Sequence, residues 1–186
     1  MADLAYIRSQ TQDLMFKLGE EHLGQGLTSL GWTFYFDHAK RRMGSCRIRE
    51  GDKQITLSRH FAERNGWSVM EDVARHEIAH ALDLETRGKT DHSSTWKAWA
   101  IRCGADPTRT YEGADVEEAP YKYVAECPNE CGYELGFYRK ISRWYVCPEC
   151  SQITKDGMHA FLHVRDRNSG KIIRKGGIGV DPKQTL

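Results

Sequence analysis

The chain has 186 residues, 39% of them hydrophobic and 28% charged, the composition of an ordinary soluble globular protein. That length gives one sizeable core, or one domain with a small appendage. No stretch approaches the roughly 20 apolar residues that a bilayer span requires, and the first residues, Met1 to Arg8, lack a secretory pattern. A reducing, cytoplasmic setting is therefore expected, in which six cysteines are free or metal-bound rather than disulfide-paired. The net charge of +1 is uneven: residues 1–120 sum to −3 and residues 121–186 to +4, with the whole excess in the last 36. A basic C-terminal part points toward nucleic acid or another polyanion.

Leu4, Ile7, Thr11, Leu14 and Leu18 recur at helical spacing and predict an amphipathic helix that stops near Gly24 and Gly26. Three strands follow, at Trp32–Asp37, Met43–Arg49 and Gln54–Ser58, the last two joined by a Glu50-Gly51-Asp52 turn. They predict a small three-stranded antiparallel sheet, and a free edge of such a sheet can hold an extended peptide. Lys40, Arg41 and Arg42 read as solvated turn cations, and Cys46 and Cys103 as small buried hydrophobes. Ser68, with Glu71 three residues later, predicts a capping box that opens a second helix, ended by Gly88.

That helix contains Arg75-His76-Glu77-Ile78-Ala79-His80, an H-E-x-x-H run. Imidazoles four residues apart on a helix lie one turn above each other, so both can grip one ion from the same side. Glu77 projects beside them, in position to handle a proton of an activated water. At 100° per residue, Val69, Val73 and Leu84 share the face of these three groups, while Asp83 falls elsewhere. Ionisable groups on an apolar stripe are costly to bury without partners, and a metal ion removes that cost. His92 stands twelve residues after His80 in the first turn of the next helix, which runs toward Gly104. A short turn brings it back beside the pair, making it the best third ligand, with Glu85 as the runner-up.

Residues 105–122 carry Pro107, Pro120 and the acidic cluster Glu112, Asp115, Glu117 and Glu118, and read as a linker. Cys127, Cys131, Cys147 and Cys150 then form two knuckles separated by fifteen residues. That is the spacing of a Cys₄ zinc ribbon, a closed structural site, over residues 123–156. Tyr133–Tyr138 and Trp144–Val146 are expected to form its hairpin. Arg139, Lys140 and Arg143 beside Tyr138 and Trp144 interleave cations with aromatics, as single-stranded nucleic acid requires. A basic hairpin is expected over residues 157–186, turning at Asn168-Ser169-Gly170 and carrying Arg165, Arg167, Lys171 and Arg174. His159 and His163 are read as strand residues without a metal role.

The Trp32 strand, the Met43-Gly44-Ser45-Cys46 and Ile55-Thr56-Leu57-Ser58 strands, His76-Glu77-x-x-His80, His92 before Trp96, and the four cysteines occur in one order. In that order the chain resembles the SprT-like family of zinc metalloproteases, over roughly residues 10–155. The resemblance implies an α+β fold, with a zincin-like protease domain over residues 1–104 followed by the ribbon. It also implies a zinc endopeptidase with His76, His80 and His92 on catalytic zinc and Glu77 as general base. Two zinc ions per chain are expected, one catalytic and one structural. The expected partners are a protein substrate and, through the ribbon and basic C-terminal part, DNA, with no membrane. The Spartan branch of that family cleaves proteins crosslinked to DNA, but its partner-binding tail has no counterpart here. Tyr111, Tyr121 and Tyr123 are candidates for a second oxyanion donor. The competing reading is a nucleic-acid-binding ribbon protein whose H-E-x-x-H site no longer cleaves peptides; an intact Glu77 speaks against it.

Overall fold

The computed structural model describes residues 2–108, 116–153 and 158–179. They fall into two compact units, Met1–Ala119 and Pro120–Leu186.

In the first unit, helix α1 (Leu4–Leu23) is opened by Asp3, whose carboxylate accepts from the amides of Ala5 and Tyr6. It closes at Gly24, left-handed at φ 72°, with the Gly24 N–H bonded back to the Glu20 carbonyl. Ile7, Thr11 and Leu18 are buried as the periodicity predicts, Leu4 and Leu14 are half-buried, and Met15 fills the stripe in place of Leu14. Strands β1 (Trp32–Asp37), β2 (Gly44–Arg49) and β3 (Asp52–Ser58) form a sheet in the order β1-β3-β2. The sheet is mixed, which corrects the expectation of an antiparallel one. Glu50 and Gly51 both have positive φ (53° and 90°), the tight turn that folds β3 back against β2. The 38–43 connection has already carried β2 to the far edge, so β3 inserts between the two strands and runs parallel to β1.

Helix α2 (Arg59–Arg87) begins ten residues before the predicted position. Ser58, not Ser68, is its N-cap, accepting from the Phe61 amide, and the break comes at Gly66 (φ 70°, ψ −172°). Glu71 does not cap the helix: its carboxylate takes two hydrogen bonds from Arg75, at 2.7 and 3.1 Å. A second arm of Arg75 reaches the Cys103 carbonyl and ties α2 to the end of α3 (Ser94–Arg102). The core between α1, α2, α3 and the sheet holds Trp32, Ile55, Leu57, Met70, Ile78, Leu82 and Trp96. The described parts of residues 105–119 belong to this unit and are not a free linker. Ala105 and Ala119 are buried, the Asp106 amide bonds to Asp72, and Glu117 and Asn65 exchange two hydrogen bonds.

In the second unit, β4 (Tyr123–Glu126) and β5 (Glu134–Phe137) pair across the first cysteine knuckle. The predicted hairpin with Trp144–Val146 does not form; Val146 instead bridges Phe161. The knuckle already works as a hairpin turn, its Cys127 amide bonded to the Tyr133 carbonyl, so β5 folds onto the strand before it. Helix α4 (Pro148–Ile153) carries the second knuckle. Then come β6 (His159–Phe161), β7 (His163–Asp166), β8 (Ile172–Arg174) and β9 (Gly177–Gly179). β7 and β8 form the predicted hairpin, and β7 also pairs with β4, giving one sheet of order β5-β4-β7-β8. Ribbon and C-terminal hairpin thus share a core. β6 pairs with β9.

Glu85, the runner-up ligand, is committed to the fold: it accepts from Trp32 Nε1 at 2.8 Å and Lys53 Nζ at 2.6 Å. Glu85→Ala leaves a buried indole N–H and an ammonium short of a partner. It is expected to cost about 1–3 kcal/mol in a denaturation experiment while leaving the bound-metal stoichiometry unchanged.

Candidate metal centres

From Glu77 to Asp83 every residue of α2 is buried, because the sheet, α1 and α3 surround this turn. Asp83, predicted off the apolar face, is fully buried, and Arg87 neutralises it through two bonds of 2.6 Å. Val73 is buried on the histidine face, while Val69 and Leu84 are half-buried.

His76 and His80 turn their Nε2 atoms toward each other at 3.3 Å, and His92 completes a group whose ligand atoms all lie within 4.8 Å of one another. A tetrahedral ion at about 2.0–2.1 Å from each nitrogen sets neighbouring nitrogens roughly 3.3 Å apart, so the spacing suits zinc. His92 precedes the N-cap Ser93 and so lies just outside the first turn of α3, where the sequence placed it; the turn after Gly88 brings it back to the pair. Burial pushes His76 down to about 4 and His80 to about 3, with neighbouring histidines adding to both shifts. Both rings are therefore neutral at physiological pH, the state a metal ligand needs. Trp96, fully buried, packs against all three rings at centroid distances of 4.5–4.7 Å. His80 Nδ1 lies 2.7 Å from the Thr90 hydroxyl.

Glu77 lines a cleft of about 410 Å³ together with His76, Val73, Gly44, Arg42 and Asp106. Burial raises its carboxyl to about 8, opposed by the charge of Arg42 and by a hydrogen bond from the Cys46 backbone. A Cβ at Gly44 would lie 2.7 Å from Glu77 Oε1 and 2.8 Å from its Cγ, so only glycine lets β2 begin this close. The cations at 41 and 42, read from sequence as solvated, form part of the cleft wall, with Arg42 paired to Asp37 at 2.6 Å. Cys103 is buried as expected; Cys46 is half-buried, and burial and Glu77 push its thiol well above the ordinary range.

In the second unit the sulfurs of Cys127, Cys131, Cys147 and Cys150 also lie within 4.8 Å of one another. The 127–150 and 131–147 pairs are 3.7 and 3.5 Å apart. A disulfide requires about 2.05 Å, whereas zinc with bonds of about 2.3 Å spaces four sulfurs roughly 3.8 Å apart. Both donor sets are thus compatible with zinc.

The proposed nucleic-acid contacts divide. Arg165 is engaged by Glu126, at 2.5 and 2.9 Å, and Arg174 by the carbonyls of Ile141 and Arg143 and the ring of Trp144. Arg143 donates to the Tyr145 hydroxyl, and Trp144 also packs on Phe161. Arg139, Lys140, Arg167 and Lys171 are exposed. Of the tyrosines, Tyr121 packs on Tyr138 and Tyr123 lies in β4, while Tyr111, like Glu112 and Asp115, lies outside the described residues. Sequence reasoning missed Thr90 and Gly44 and took Trp96 only as an apolar position. The four-residue spacing of His92 and Trp96 was the available signal for the last.

Three clustered imidazoles, one of which lines a cleft together with a buried glutamate, define a candidate metal-dependent hydrolytic centre. The model of the SprT-like family matches residues 12–117, more than half of the chain, and the chain belongs to that family. The match ends before the four cysteines. No curated protein matches the chain. Family membership points to a metalloprotease-related function. No described helix is long and apolar enough to cross a membrane.

The buried groups give the metal-free protein a pH signature. Glu77 near 8 holds a proton in the folded chain that the unfolded chain, near 4.5, has released, so its contribution to stability falls as pH rises from about 4.5 to 8. His76 and His80 act oppositely: the unfolded chain takes up protons below 6.5 that the folded chain refuses, so stability falls as pH drops from there toward 3. Glu77→Gln removes only the first effect. In metal-free protein its stability gain over wild type is expected to grow between pH 4.5 and 8, to the order of a few kcal/mol, as read from paired denaturation curves.

Proposed function

We propose that the chain is a zincin-like zinc endopeptidase, with His76, His80 and His92 holding catalytic zinc and Glu77 as general base. The observation that supports it is three histidine ligand atoms within 4.8 Å of one another, with His76 of that group lining the same cleft as the buried carboxyl of Glu77. Bound zinc supplies Lewis acidity, making a water acidic near pH 7 and polarising a carbonyl.

Glu77 accepts the proton of the attacking water at its carboxylate and returns it to the leaving amine. Burial raises the carboxyl in the metal-free chain, and the charge of a bound divalent ion would favour its ionised, proton-accepting form. The Cys46 backbone hydrogen bond and the Gly44 backbone hold the carboxylate in place. β2 is an edge strand whose first residue lines the cleft, and an extended peptide added to it would run past Glu77. The four cysteines, with no vertex left for substrate, hold a structural zinc.

Glu77→Gln is expected to retain two zinc ions per chain and to lose at least about 10²-fold in cleavage of an unfolded protein, with or without single-stranded DNA. A variant that still cleaves at the wild-type rate would refute the mechanism.

A second reading concerns a partner. Arg139, Lys140, Arg167 and Lys171 are exposed on a unit that also carries Tyr138 and Trp144, and they support contact with the backbone of single-stranded nucleic acid. Reversing Arg139 and Lys140 to glutamate is expected to weaken DNA binding and flatten its dependence on salt, measured by fluorescence anisotropy. Unchanged affinity would move the partner surface elsewhere.

A further inference from the structure

A histidine that binds a metal through one ring nitrogen must carry its proton on the other, and that proton needs an acceptor where water is scarce. His80 is the most enclosed ring of the triad, and its Nε2 is the atom facing His76. Its Nδ1 points the opposite way, 2.7 Å from the Thr90 hydroxyl oxygen. The stacked indole of Trp96 covers its face.

Thr90 lies in a turn that is itself clamped. Gly88 ends α2 in the left-handed conformation and reverses the chain. Arg87, anchored on buried Asp83, also reaches Asp91 at 3.4 Å, and Asp91 accepts from the Ser93 amide. The residue between Gly88 and Asp91 that meets His80 is therefore held from both sides. The same turn delivers His92, so one short segment supplies a ligand and a hydroxyl to the ring of another.

We propose that Thr90 is the positioning residue of the triad: its hydroxyl accepts the Nδ1 proton of His80 and so holds that ring in the tautomer whose Nε2 lone pair faces the other two histidines. The assignment rests on the histidine triad being a metal site, yet the tautomer itself is a property of the metal-free chain. Thr90→Val keeps the shape of the side chain and removes the acceptor. The proton then gains by moving to Nε2, where it blocks the ligand position. Thr90→Ser keeps the hydroxyl and is the rescue.

The test is long-range ¹H–¹⁵N NMR of the histidine rings in full-length, metal-free protein at neutral pH, joined to zinc titration against a chromophoric chelator. In wild type and Thr90→Ser, His80 is expected to carry its proton on Nδ1. Thr90→Val is expected to shift the proton toward Nε2 and to weaken one zinc equivalent by about 10- to 100-fold, with the Cys₄ equivalent unchanged as internal reference. An Nε2 proton on His80 in the wild type would overturn the proposal. So would Thr90→Val with an unshifted tautomer and unchanged zinc affinity, because Thr90 would then only fill space. A wild-type chain that took zinc at the cysteines alone would remove the peptidase reading, while the NMR signature would still decide the role of Thr90.

Discussion

Everything in the first unit answers to the burial of one helical turn. Glu77, His80 and Asp83 are 7%, 8% and 0% exposed, and ionisable groups withdrawn from water this far must be neutralised or partnered. Each does so differently. Asp83 stays charged because Arg87 grips both its oxygens. Glu77 stays protonated over most of the physiological range, its carboxyl desolvated beneath β2. His80 stays neutral, with Thr90 on one nitrogen. Without a metal, His76 and His80 satisfy each other, one Nε2 donating to the other at 3.3 Å. What makes the geometry read as a site is the third histidine, which brings the ligand atoms of all three within 4.8 Å of one another, a spacing one cation can bridge.

The surrounding fold follows from holding that turn still. The sheet supplies a wall on one side, and its edge strand comes within contact of Glu77 only because residue 44 is glycine. The other side is the indole of Trp96, set by the first turns of α3, which Arg75 ties back to α2 through the Cys103 carbonyl. Glu85, two residues beyond Asp83, bonds Trp32 and Lys53 and so fixes α2 to the sheet at the far end of the same helix. Positioning is therefore distributed: β2, α3 and the α2–α3 turn each fix one side of the site.

How much of this was legible depended on whether the signal was local. The H-E-x-x-H register, the α1 stripe and the cysteine knuckles are set by spacing along one element, and 3.6 residues per turn or two to three residues per knuckle is enough to read them. Strand direction is not local. Nothing within Trp32–Asp37 says whether its partner runs parallel, and the answer came from β3 inserting between β1 and β2. The start of α2 depends on the fold as well: Ser58, read from sequence as a strand end, caps the helix, while the break at Gly66 falls two residues before the predicted start at Ser68. Likewise Glu71 fits a capping box by spacing, but an arginine one turn later took its carboxylate. Nothing in the sequence marks what Thr90 and Gly44 do, although Gly44 lies in a stretch that carries the family resemblance. Their roles are contacts across the fold, a hydroxyl on a ring nitrogen and a missing Cβ beside a carboxylate.

The two donor sets explain why one chain would carry both. Four thiolates around a divalent zinc leave a net charge of about −2 and no free vertex, so such a centre repels anions and binds nothing further. Three neutral imidazoles leave the full +2 and one vertex, next in sequence to a carboxyl that burial pushes toward its protonated form. A divalent charge arriving there favours the ionised form of Glu77 and pulls its pKa down from the metal-free value. If the site works as proposed, metal binding and the ionisation of Glu77 would be coupled, and the burial that makes the turn costly would be the source of that coupling.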